Sequence, residues 1–197
     1  MPSYILTTLQ AAVLSGISNI LAQFIKAYRE EVPQLQLLPI PPRTQADLKP
    51  IQRPYRITIR PLLTFVIFTI LSCPPNILWQ DFLEEKFPGY TYSATTSERV
   101  LDRSNTARKL LFDQTLGAFV NTLAFVAGMA AFKGKSAVAV RRDVERDTIP
   151  LMINGWKLWP MVALFNFVFV PVNRRIIVGS AVGLFWGIYL SLFAALD

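Results

Sequence analysis

Four stretches of this chain, residues 4–24, 62–82, 110–132 and 176–195, are almost wholly apolar. As a helix rising about 1.5 Å per residue, a run of about 20 such residues matches the roughly 30 Å hydrocarbon core of a bilayer. Within lipid only a helix or a closed barrel satisfies every backbone N–H and C=O, so these stretches are expected to be transmembrane helices. A fifth stretch, 149–172, is also long and apolar, but it carries Lys157 and two helix-disrupting pairs, Trp159-Pro160 and Val170-Pro171. It is expected to be a kinked span or a helix lying partly in the interface, where Lys157 can snorkel and Trp156 and Trp159 suit the headgroup level. The expected fold is an all-α membrane protein: a bundle of four transmembrane helices plus this fifth segment, with no sheet. Residues 1–197 then form a single integral membrane domain.

Charge is confined between these runs. The formal net charge is +7, yet the basic residues flank apolar segments and form no aromatic-interleaved patch, so interfacial anchoring accounts for them and no nucleic-acid partner is expected. The first connection contains a proline-rich loop, residues 30–56, with Pro33, Pro39, Pro41, Pro42, Pro50 and Pro54, read as an extended linker. Basic residues exceed acidic ones there and again between 133 and 148, whereas 81–109 is balanced. The first and third connections are therefore expected on the same face of the membrane. A lone Cys73 excludes an intramolecular disulfide framework, and the absence of His removes the commonest acid–base residue and metal ligand. Without His there is no Ser-His-Asp, Cys-His or H-E-x-x-H arrangement, and Glu84-Glu85 reads as an exposed turn, so neither enzymatic activity nor a cofactor or metal is expected. The first ten residues carry no signal-peptide or presequence pattern and the last residues no peroxisomal tripeptide, so targeting is expected to be internal.

The last third of the chain carries a series of spaced residues: Trp156-x-Leu158-Trp159-Pro160, Asn166-Phe167-x-x-Val170-Pro171, Arg175, and Trp186-x-x-Tyr189-Leu190-Ser191. Upstream lie Lys109 with Asp113-Gln114, Gly134 with Ser136, Cys73-Pro74 with Trp79, and Phe87-Pro88-Gly89. This series resembles the signature of the Mpv-seventeen / 22-kDa peroxisomal membrane protein family. The chain departs from that pattern at Ser18-Asn19, where the family has Gly-Asp before Ala22-Gln23, and at Cys73, Gln80, Phe119 and Ala163. The resemblance implies a multi-pass protein of the mitochondrial inner or peroxisomal membrane. It also implies a weakly selective channel for small solutes or metabolites, with membrane lipids and solutes as partners. A second reading is a non-conducting membrane protein that organises partner proteins or lipids through the proline-rich loop and a glycine stripe.

Asp113, Gln114, Asn19, Asn166 and Lys157 are the candidates for a pore lining, because intramembrane polar groups face the bundle interior or water; interhelical hydrogen bonding uses the same residue types. Gln23, Asn121 and Asn154 belong to the same polar set, and Lys109 lies one turn before Asp113 as an i,i+4 partner. Gly179, Gly183 and Gly187 recur every four residues and mark a flat helix-packing face, either within one chain or in a homo-oligomer. Arg174-Arg175 reads as an interfacial anchor or as a site for an anionic headgroup or solute. Trp79, Trp156, Trp159 and Trp186 with Tyr189 suit an aromatic belt. Gly134-Lys135-Ser136 is no phosphate loop, because Gly128 lies one residue too far upstream and an apolar span precedes it.

The charge pattern makes a direct topological prediction. Protease added to one side of sealed membranes is expected to reach the connections at residues 30–56 and 133–148 together, and to spare the one at 81–109. Cleavage of the first and third connections from opposite sides would refute it.

Overall fold

The structure is a computed structural model, and it describes residues 4–34, 57–92 and 98–193. Seven α-helices follow in order: α1 (Tyr4–Gln34), α2 (Ile59–Lys86), α3 (Arg103–Phe112), α4 (Ala118–Phe132), α5 (Ala137–Gly155), α6 (Trp159–Phe169) and α7 (Val172–Phe193). One turn of π-helix, Asp113–Gly117, joins α3 to α4 without a break. Among the described residues, three helices are long and apolar enough to cross a membrane: Tyr4–Ala27, Ile59–Lys86 and the continuous Arg103–Phe132. The chain is an all-α membrane protein. The fourth expected span, 176–195, lies in α7 as far as Phe193, and residues 194–197 fall outside the described part.

Several local expectations are corrected. Two short strands, β1 (Tyr90–Tyr92) and β2 (Arg99–Leu101), pair antiparallel with Thr91 opposite Val100, where no sheet was expected. Their β-branched and aromatic residues favour extended backbone, Arg99 stacks 4.0 Å over the Tyr90 ring, and the Tyr90 hydroxyl donates to the Val168 carbonyl at 2.6 Å. The basic stretch from Ala137 onward is the first half of α5, not a loop. Its surface charges pair along the helix: Lys135 and Arg146 with Asp143, Arg141 with Glu145, and Arg146 with Asp147. The Arg146 guanidinium holds the Asp147 carboxyl below its ordinary range. The fifth apolar stretch is broken in two, because α5 ends at Gly155 and α6 begins at Trp159 with Pro160 in its first turn, where a missing N–H costs nothing. At 11 residues α6 spans only about 16 Å, too short to cross. The proline-rich loop lies outside the described residues from 35 to 56; residues 30–34, assigned to it, continue α1, since Pro33 in the last turn sacrifices one hydrogen bond only.

Packing is tightest where side chains are small. Ala11 of α1 meets Cys73 and Ile77 of α2, with Ile176 of α7 against them, and a Cβ at Gly16 would sit 3.6 Å from Val66. Close approach of backbones through small residues is the main source of helix association in lipid. A second cluster joins Leu83 of α2 to Ala163 and Phe167 of α6, with Trp79, Phe87 and Leu110 around it. Large apolar side chains such as Ile5, Leu71, Met161 and Phe185 point outward, as a lipid-facing surface requires.

The turn between α4 and α5 explains the Gly134 and Ser136 spacing. Gly134 has φ +74°. Its N–H donates to Ala131 and that of Lys135 to Ala130, closing the end of α4 in a Schellman arrangement. Ser136 caps α5, its hydroxyl oxygen accepting from Ala139 N at 3.4 Å. Gly134→Ala is expected to lower stability by about 1 kcal/mol through the left-handed backbone it must adopt, and Ser136→Ala by about 1 kcal/mol through the lost cap. Thermal melts of the purified variants in detergent measure both, and unchanged melting of Gly134→Ala would contradict the turn geometry.

Candidate functional site

The last turn of α2, the last turn of α3 and the α6–α7 junction meet at one partly buried carboxylate. Glu84 Oε2 receives Lys109 Nζ at 2.8 Å and Arg175 Nη2 at 2.7 Å, while Oε1 accepts the Gly89 N–H at 3.0 Å. Lys109 is fully buried and Arg175 is 5% exposed. Arg175 Nε donates to the carbonyls of Asn166 at 3.2 Å and Val170 at 3.1 Å, at the C-terminus of α6, where a cation is favoured; the Asn166 carbonyl also accepts the Val170 N–H. Both cations lie beside the buried Phe167 ring, 5.3 Å and 5.1 Å from its centroid. Three expectations are corrected here. Glu84 is no exposed turn residue, Arg175 is no interfacial anchor, and Lys109 reaches across to Glu84 rather than along its own helix to Asp113, because the carboxylate on α2 is already placed by Gly89. A Cβ at Gly89 would come within 2.9 Å of Lys109 Nζ, so a side chain there would displace the ammonium from its place on Glu84.

One helical turn away lies a second polar layer. Asp113 Oδ1 accepts from Trp79 Nε1 at 3.1 Å and Gln80 Nε2 at 3.2 Å, and Oδ2 accepts from Gln114 Nε2 at 2.9 Å. Neighbouring residues on an α-helix diverge by about 100°, and the π-turn widens the helix where Asp113 and Gln114 both face inward. Across it the Ala118 N–H donates to Asp113 five residues back, and the Gln114 carbonyl accepts the Trp156 indole N–H at 2.9 Å. Trp79 and Trp156 thus spend their N–H groups inside the protein rather than at a headgroup belt. Trp79 also lies on Gly117, where a Cβ would meet its Nε1 at 2.8 Å.

These layers form one wall of a cavity of about 680 Å³ to which the π-turn and every described helix but α3 contribute. Of the expected lining residues, Asp113, Gln114 and Asn166 border it, as do Trp159 and Trp186. Asn121 borders it too, donating to Asn76 of α2 at 2.8 Å. Asn19 and Lys157 do not. Buried Asn19 accepts from Gln23, whose amide clamps both the N–H and the carbonyl of Thr58 at the start of α2. Lys157 is exposed and donates to Asn154 at 2.9 Å. The glycine stripe also differs from expectation. Gly179, Gly183 and Gly187 all border the cavity; a Cβ would meet nothing within 4 Å at Gly179, and only Trp159 at 3.8 Å at Gly183. Gly187 alone makes a close approach, 3.0 Å to Ser18 Oγ. The stripe keeps space open where a packing face was expected. Gln80, Asn76 and Glu84 are the polar residues that sequence reasoning missed.

Residues 130–191 match the model of the Mpv17 / PMP22 family. PXMP2/4 family protein 3 of Dictyostelium discoideum is 30% identical over 139 residues, covering 71% of this chain and 70% of that protein. The chain belongs to the Mpv17 / PMP22 family. The mitochondrial inner membrane protein Mpv17 of Drosophila melanogaster is 30% identical over 131 residues, 66% of this chain and 73% of its own. The peroxisomal membrane protein PMP22 of Arabidopsis thaliana is 25% identical over 187 residues, 93% and 79%. No solved structure matches. As a member of the Mpv17 / PMP22 family the chain is a multi-pass protein of an organelle membrane, mitochondrial inner or peroxisomal.

Most of the residues on which the sequence resemblance rests lie in α6 and at the start of α7, beside the two polar layers. Trp159 and Pro160 open α6, Asn166 and Phe167 lie in its second half, Pro171 precedes α7, and Arg175 joins the Asn166 and Val170 carbonyls to Glu84. Trp186 lies further along α7, and the side chain of Tyr189 falls outside the described residues.

Removing one partner of a buried ion pair leaves the others uncompensated, at a cost of about 3–5 kcal/mol. Glu84→Gln is therefore expected to destabilise the protein by about 3 kcal/mol, and Lys109→Met by less, because Arg175 still neutralises the carboxylate. Adding Lys109→Met to Glu84→Gln should recover part of the loss, as double-mutant coupling within one network. Thermal unfolding in detergent reads this, and strict additivity would contradict the shared carboxylate.

Proposed function

We propose that this protein is a weakly selective channel or pore for small solutes and that the cavity between its helices is the solute path. One observation carries the reading: polar groups on four different elements, among them Asn76, Gln80, Asp113, Asn121 and Asn166, converge on a single inner space while large apolar side chains face outward. Intramembrane polar residues arranged this way border water or solute. The open glycines support it as well, since Gly179 and Gly183 leave free volume where larger residues would fill the lumen. On this reading the partners are membrane lipids and small-molecule solutes. The glycine stripe faces inward, so copies of the chain would self-associate through another face.

The test is flux through the purified protein in liposomes. Asp113→Asn is expected to change ion selectivity, because removing one intramembrane charge alters the field along the path. Gly179→Leu is expected to reduce flux several-fold with unchanged melting, since its side chain enters open space. Absence of solute flux or current in the parent would overturn the channel and favour the non-conducting organiser of proteins or lipids.

A further inference from the structure

Four buried polar atoms bordering the cavity have no hydrogen-bond partner among the described residues: Gln80 Oε1, Gln114 Oε1, Asn166 Oδ1 and Arg175 Nη1. Buried polar groups are as a rule paired, so four such atoms on one wall call for a complement. They belong to two bonded pairs, Gln80 and Gln114 on Asp113, and Arg175 on the Asn166 carbonyl. Gln80 and Glu84 are one helical turn apart on α2, and they hold the Asp113 layer and the Arg175 layer respectively.

Their orientations follow from their neighbours. An ionised carboxylate only accepts, so Asp113 draws the NH₂ groups of Gln80 and Gln114 toward itself and turns both amide oxygens away. Arg175 has committed Nη2 to Glu84 and Nε to two carbonyls, which leaves Nη1 as its free donor. Arg175 and Asn166 are 5% and 8% exposed. The cluster therefore offers one donor and three acceptors. Lys109 and Arg175 balance the carboxylates of Glu84 and Asp113 in number, so the cationic attraction on offer is local to Arg175 Nη1, on the side of the cluster away from the three N–H groups that face Asp113.

We propose that this corner of the cavity binds a small hydroxylated carboxylate. One carboxylate oxygen accepts from Arg175 Nη1, and hydroxyl groups donate to the amide oxygens of Gln80, Gln114 and Asn166. The inference rests on reading the cavity as a solute path, and it names the solute class that the path selects.

Isothermal titration of the purified full-length protein in detergent with glycerate, propionate and glycerol tests it. Glycerate has both functions, propionate lacks the hydroxyls and glycerol lacks the carboxylate. Glycerate is expected to bind roughly tenfold or more tightly than either, because each control leaves buried groups unpaired. Equal binding of the three, or none, would overturn the site and assign the four atoms to water. Gln80→Met is expected to weaken glycerate roughly tenfold and to leave propionate unaffected; a parallel loss of both would mean that Gln80 only supports the wall, and would overturn its role. The parent comparison decides even if that variant fails to fold. Flux in liposomes separates the two readings: binding without flux keeps this site and removes the channel, whereas flux without discrimination among the three probes keeps the channel and removes this site.

Discussion

A carboxylate shared by two cations is the interaction on which this structure depends. Glu84 is the point where α2, α3 and α7 are held to one another, and through Arg175 it also fixes the end of α6. In a low-dielectric setting none of these three charges is tolerable alone, so each helix is obliged to deliver its residue to the same place. The Phe167 ring, flanked by Lys109 and Arg175, contributes its electron-rich surface to both cations. The short α6 becomes intelligible in this frame. A helix too short to cross still leaves terminal carbonyls inside the protein, and Arg175 supplies the donors they lack.

The cavity follows from that anchorage. Helices tied at one end by charge and elsewhere by alanine contacts need not fill the space between them, and the glycines of α7 leave it unfilled. Polar residues with side-chain hydrogen bonds across helices, such as Asn76 with Asn121, keep the walls apart at a fixed distance rather than drawing them into contact.

The long helices were legible because length and apolarity alone dictate them: the runs beginning near Tyr4, Leu62 and Leu110 are helical throughout. The helix over Ala137–Thr148 was not, since its charges suggested a solvated loop; the capping pair Gly134 and Ser136 was the local sign that a helix ended and another began. The network at Glu84 escaped because its members are distant in sequence, and a lysine four residues from an aspartate offers a plausible local partner that tertiary structure overrides. Asp113, Gln114 and Asn166 could be recognised as inward-facing from their place in apolar runs. Asn19 and Lys157 look the same in sequence, and only the fold reveals that one holds the Gln23 amide that clamps the start of α2 and the other faces outward. The glycine period was equally readable, but a period does not say whether a smooth face meets another helix or an empty space.

The π-turn at Asp113–Gly117 sets a rule for what this segment can tolerate over evolutionary time. It is in effect one surplus residue in an otherwise regular helix of the length of a membrane span. Deleting one residue between Lys109 and Ala118 would restore regular α-helix with the flanking turns near their present register, because the wide turn is what absorbs the surplus residue. Lys109 would keep its reach to Glu84, but Asp113 and Gln114 could no longer both face inward, since neighbours on a regular helix diverge by about 100°. The count of residues here is therefore set by the polar layer, and lineages that vary in loop length should hold this stretch constant.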